Sequence, residues 1–304
     1  MKSVFRLFFS LFFTGACIAA LPAHAALKVF ASVPEWGALA TELGGDKVDV
    51  YVATGPLQDP HRIEARPSLI ARARSAQLVV ATGAELEIGW LPLVLQQAGN
   101  AAVQPGQPGY FEAAQFVPLL EKPTRLDRAE GDVHPAGNPH IQMDPHNIAR
   151  IAEPLSKRLA ELDPANAAAY QTRYQSFTAR WDAAMKKWAM EAQPLNGVSI
   201  LVHHQAFAYL NHWLGLKEVA ALEAKPGVEP TSSHLAEVLE LTQRLPVKMV
   251  IRSAYLDPRA DEWIATRAKI PAVVLPFTVG GTPAAKDLFG FFEDTVQRLL
   301  AGLK

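Results

Sequence analysis

The stretch 164-PANAAAYQTRYQSFTARWDAAMKKWAMEA-192 decides how the chain is read. Asp163 stands before it as an N-cap, and Pro164 takes the first helical position, where proline is well tolerated. The pattern predicts one helix of about 28 residues, roughly 42 Å long at 1.5 Å per residue. Such a helix exceeds what a single lobe needs, so it reads as a rigid spine between two lobes. The helix before it, "PHNIARIAEPLSKRLAEL", opens on the same signal, Asp144 followed by Pro145.

Working outward, apolar runs alternate with helical patterns on both sides, the signature of parallel βαβ units. Upstream come the strand "LKVFASV", the helix "EWGALATELGG", the strand "KVDVYVATG", the helix "RPSLIARARSA" and the strand "QLVVATG". A further helix, "GAELEIGWLPLVLQQAGN", is followed by loops and short strands. Downstream come the strand "VSILVHH", the helices "QAFAYLNHWLGL" and "TSSHLAEVLELTQRL", the strand "VKMVIR", the helix "DPRADEWIATRA", the strand "PAVVLPF" and a closing helix over "AAKDLFGFFEDTVQRLLAGL". The expected fold is α/β: two lobes with mainly parallel sheets, joined by a long rigid helix, with a cleft between them. The expected divisions are 26–163 for the first lobe, 164–192 for the connecting helix and 193–304 for the second lobe.

Residues 1–25 read as a cleavable secretory signal. Lys2 and Arg6 precede the apolar run "LFFSLFFTGACIAAL", and Pro22 precedes Ala23-His24-Ala25. The run is short for a membrane span. Cys17 lies inside it; a lipoprotein reading of "TGAC" is the lesser one, because Thr14 replaces the usual leucine. The mature chain then has no cysteine, so core packing must stabilise it without disulfides. With Lys2 and Arg6 gone, 27 basic residues face 30 acidic ones, a formal charge of −3. Nothing suggests a nucleic-acid surface, and a monomer is expected.

Histidine is the informative residue type. In 132-DVHPAGNPHIQMDPHN-147, His134, His140 and His146 lie six residues apart, a spacing that suits no helix face. In open parallel sheets, ligands gather beyond the carboxyl ends of strands. His61 follows the strand "VDVYVATG", His140 precedes the Asp144 helix, and His203 with His204 ends "VSILVHH". Imidazoles converging on one cleft favour zinc, whereas manganese sites carry more carboxylate. Strand alternation lets at most one of His203 and His204 reach that cleft. His146 reads as a surface residue, and so does His134, with a spare metal contact as its second reading. His212 and His234 look structural or exposed, and His24 leaves with the signal.

Taken together, "DPHRIEARPS", "NPHIQMDPHN" and "HHQAFAYL…WLGL" resemble the metal-ligand segments of periplasmic metal-binding proteins that serve ABC importers of zinc and manganese. The likeness spans the mature chain, including "ATGAELEIGWL" and "VEPTSSHLAEVLELTQRL". It implies capture of one ion, zinc by preference, as transported ligand in the periplasm, and delivery to a membrane permease. The ligands it implies are His61, His140 and His204. Two departures stand out. Where many members place an aspartate after the last strand, this chain has Pro276 in "VVLPFTVGGT", leaving water, Asp257, Glu229 or no protein group as the fourth ligand. The loop before His140 carries only His134, too little for metal scavenging. A manganese-specific protein, an adhesin or metal chaperone, and a secreted zinc hydrolase are the rival readings. Against the hydrolase, the chain has neither HExxH nor GxSxG.

Overall fold

A computed structural model describes residues 25–123 and 134–304. The expected signal segment, with Cys17, lies outside the described residues. The first sheet comprises β1 (Leu27–Ala31), β2 (Val48–Val52), β3 (Leu78–Ala81) and β4 (Tyr110–Glu112), in the order β2-β1-β3-β4. Its helices are α1 (Pro34–Gly44), α2 (Pro67–Ser75) and α3 (Leu91–Ala98). The second sheet comprises β5 (Ser199–Val202), β6 (Lys217–Ala221), β7 (Val247–Ser253) and β8 (Ala272–Leu275), in the order β6-β5-β7-β8. Helices α6 (Ala208–Leu214), α7 (Ser232–Arg244), α8 (Arg259–Ala268) and α9 (Leu288–Ala301) pack around it. Between the sheets run α4 (Pro145–Leu162) and α5 (Ala167–Glu191).

Every strand pairing is parallel, and both sheets repeat one strand order. Each therefore reverses direction beside its first strand, where a crevice opens beyond the carboxyl ends. Period-two alternation explains the burial on both faces of the first sheet. Phe30, Val79 and Ala81 pack with Leu69, Ala73 and Val94 of α2 and α3. Val29, Ala31 and Val80 enter the opposite core with Trp36 and Leu39 of α1.

Three expectations need correction. The 164–192 stretch starts as a 3-10 turn, Pro164–Asn166, before the 25-residue α5. The helix expected over 83–100 is formed only by α3. Gly83, Ala84 and Glu85 all have positive φ, a conformation no right-handed helix contains. The buried Glu87 carboxylate holds that turn, accepting from Ser32 Oγ at 2.6 Å, Thr82 N at 2.7 Å and Gly83 N at 3.1 Å. Finally, β6 escaped notice because "KEVAA" is a half-exposed edge strand with little apolar signal.

Helix α5 is tied to both lobes. Arg173 and Arg180 pair with Asp46 and Glu42 of the first lobe at 2.5 and 2.6 Å, while Lys187 and Trp188 Nε1 reach Glu293 of α9. The exposed ion pairs contribute little stability. The aromatic cluster contributes more: Trp181 stacks on Phe177 at 5.1 Å and meets Trp188, Phe289 and Phe292 edge-on, while its Nε1 donates to Pro145 O at 2.9 Å. Trp181→Ala is expected to cost about 3–5 kcal/mol in chemical denaturation, the usual range for a buried tryptophan. A loss below about 1 kcal/mol would mean that the spine is held elsewhere.

Candidate metal centre

Three tripeptides of one pattern, Asx-Pro-His, build three similar turns. His61 N donates to Asp59 Oδ1 at 2.9 Å, His140 N to Asn138 Oδ1 at 3.0 Å, and His146 N to Asp144 Oδ1 at 2.8 Å. Proline fixes the middle φ and surrenders its own donor, so the side-chain oxygen bonds two residues on. In the two aspartate versions the same oxygen also meets the imidazole Nδ1, at 2.9 Å for His61 and 2.7 Å for His146. Asn138 instead turns its amide to Glu121 Oε2 and Gln205 O.

His204, two residues beyond the end of β5, is prepared differently. Its Nδ1 lies 2.7 Å from Glu223 Oε2, and that oxygen also accepts from Gly227 N at 2.7 Å. The rings of His61, His140 and His204 converge, with centroids 5.2, 5.9 and 6.2 Å apart. Zinc–nitrogen bonds of about 2.0–2.1 Å at tetrahedral angles would put such centroids roughly 5 Å apart. Among the described residues, no three histidine or carboxylate side chains already stand as a closed metal sphere. The ring separations ask for closure of up to about 1 Å to bring the three imidazoles onto one ion. His61 Nε2 and His140 Nδ1 are buried without a hydrogen-bond partner, as expected of nitrogens that await a cation. Burial first, and then the His61, His204 and His134 rings, push the His140 pKa well below the ordinary imidazole value. The neutral form of His140, the form in which an imidazole can bind a metal, is thus favoured.

The other histidines sort by position. His134 is half-buried, with its ring 5.3 Å from that of His61, so the surface reading was incomplete. His146 shares the turn of His61 but points outward, its side chain 52% exposed. His234 Nε2 bonds Ala221 O, and His212 is exposed. His203 faces away from His204, into a cavity of about 480 Å³ that Asp257 and Glu229 also line. Those two carboxylates therefore belong to a different cleft from the converging rings. The carboxylates that orient imidazoles, Asp59 and Glu223, were missed in the sequence reading. Asp59 was legible from its place two residues before His61, whereas Glu223 carried no local signal.

A second link spans the lobes: Thr278 Oγ1, beyond β8, donates to the buried Glu35 of α1. Burial foremost, with a smaller push from Glu87, raises the Glu35 pKa to about 7 against the lowering by the Thr278 bond. An acid raised in the folded state stabilises it fully below the unfolded value of about 4.5, and that contribution is lost as pH rises through about 7. Glu35→Gln is therefore expected to raise the melting temperature at pH 8 and to leave it nearly unchanged at pH 4.5. An equal effect at both pH values would contradict the assignment.

Residues 29–302 match the family model described as zinc-uptake complex component A, periplasmic. The high-affinity zinc uptake system protein ZnuA of Yersinia pestis is 25% identical over 231 residues, covering 70% of this chain and 71% of that one. The manganese ABC transporter substrate-binding lipoprotein PsaA of Streptococcus mitis is 22% identical over 286 residues, covering 91% and 89%. A solved structure titled "Crystal structure of ZnuA" superposes with a TM-score of 0.77 at 24% identity, covering 92% of this chain and 100% of that chain. Among the described residues, no helix is long and apolar enough to cross a membrane.

Proposed function

Since the chain belongs to the periplasmic zinc-uptake component A family, whose members serve ABC importers of zinc and manganese, we propose that its cargo is zinc, held by His61, His140 and His204. The observation that carries this reading is the convergence of three rings, two of which have Nδ1 held by a carboxylate oxygen. Asp59 and Glu223 bond Nδ1 atoms, so they tune the imidazoles and leave nitrogen as the donor offered to the ion. Neutral nitrogen suits zinc, whereas manganese prefers carboxylate oxygen. With Asp257 and Glu229 elsewhere, water is the proposed fourth ligand. In this reading, residues 1–25 direct a monomer to the periplasm, where it loads and passes its ion to the permease.

The manganese reading rests on the manganese-transporting relative. Metal analysis of protein purified without chelator, followed by zinc–manganese competition, separates the two. Zinc retained against a large manganese excess supports the proposal, and displacement by equimolar manganese overturns it.

A further inference from the structure

The cavity behind His203 lies in the second lobe at its own switch point, beyond the carboxyl ends of β5 and β6 and beside the starts of α7 and α8. His203, Glu223, Glu229, Asp257 and Trp263 are among its lining residues. His203 is only 5% exposed, and its Nδ1 lies 2.7 Å from Oδ2 of the fully buried Asp261. This is the preparation also seen in Asp59–His61 and Glu223–His204: a carboxylate fixes Nδ1, and Nε2 is left to face outward. A histidine kept for packing alone would have Nε2 against apolar atoms or in a hydrogen bond. Here Nε2 makes no hydrogen bond among the described residues, and it faces Glu223 Oε1 at 4.0 Å across a cavity wall.

We propose that His203 Nε2 and Glu223 Oε1 form a second, weaker site for a divalent transition metal, completed by solvent. Bonds of about 2.1 Å at a tetrahedral angle set the two donor atoms roughly 3.4 Å apart. The 4.0 Å pair need therefore close by only about 0.6 Å, within reach of side-chain torsions, to share one ion. The imidazole favours zinc-like ions over calcium or magnesium. Arg259 also lines the cavity, but its guanidinium is bonded to Asp257 at 2.9 and 3.0 Å. Glu223 is shared: Oε2 orients His204 and Oε1 serves the second ion, so the two sites meet through one carboxylate.

Calorimetric zinc titration of the wild type, His203→Asn and His140→Ala tests this and keeps it separate from the first assignment. Two equivalents are expected in the wild type. His203→Asn should lose the weaker one and keep the tighter within about threefold, whereas His140→Ala should weaken the tighter and keep the other. A wild type that stops at one equivalent up to millimolar zinc overturns the proposal, as does a second equivalent that survives His203→Asn. Should His203→Asn fail to fold, anomalous scattering at the zinc edge from wild-type crystals soaked in zinc decides. A peak at bonding distance from His203 Nε2, about 2.0–2.1 Å, is expected; its absence with the first site filled refutes the second site.

Discussion

Replacing His140 with alanine is expected to weaken zinc binding more than any other single change, by at least tenfold and by about a hundredfold on ligand arithmetic. Structural zinc sites are worth roughly 10–16 kcal/mol over four ligands, or about 3 kcal/mol for each, and every 1.4 kcal/mol is a factor of ten. His140 is the most buried of the three rings at 2% exposure, and its Nδ1 has no hydrogen-bond partner. That burial, and after it the neighbouring rings, lowers its pKa well below the ordinary imidazole value and favours the neutral form that binds metal. His146→Ala is the matched control. It has the same Asx turn six residues on and a side chain that is mostly exposed, and it should leave affinity unchanged. Competition against a chelator of known affinity reads both variants. Parental affinity in His140→Ala would remove the central residue of the assignment.

The second large effect is acid release. Zinc and protons compete for the same nitrogens, and an ordinary imidazole titrates near 6.5. The melting-temperature gain from zinc should therefore be full at pH 7.5 and vanish by about pH 5. The apoprotein shifts in the same direction. His140 has a folded pKa below its unfolded value, so its contribution to stability is present above about 6.5 and is lost as pH falls through the depressed value. Protons taken up per zinc released should approach three only at the acid end, because His140 protonates late. A zinc-dependent gain that persists unchanged to pH 4.5 would point to oxygen ligands, whose usual pKa values are near 4, and would undo the preference for zinc over manganese.

What could be read in advance followed from local rules. The N-cap Asp144 followed by proline placed α4, because that signal acts within one turn. Asp163-Pro164 opened only the 3-10 turn before the spine, with the Asp163 carboxylate bonded to Asn166 and Tyr170 instead of capping. Strand runs such as "QLVVA" announced parallel, doubly buried strands through composition alone. The β6 edge strand and the turn after β3 were illegible for the opposite reason. Both depend on distant partners, β5 for the first and Ser32 with Glu87 for the second. The site shows the same division. Asp59-Pro60-His61 and Asp144-Pro145-His146 make the same local geometry, and the local sequence cannot tell which ring faces its counterparts. Their places in the fold decide it: the first turn follows β2, and the second opens a helix that turns its ring outward. Glu223 comes within reach of His204 only through the pairing of β5 with β6.

The bracing of α5 against both lobes has a consequence for how a full carrier is told from an empty one. A frame packed around Trp181 with Phe289 and Phe292 of α9, and pinned again where Thr278 meets Glu35, has little freedom to swing shut around its load. The message that cargo is aboard must then be written in charge. Two positive units arrive among the three imidazoles, and their field fades over a Debye length of about 8 Å at physiological salt. With the ion held as proposed, the permease must therefore read the message at close range, from the loops that carry His61, His140 and His204.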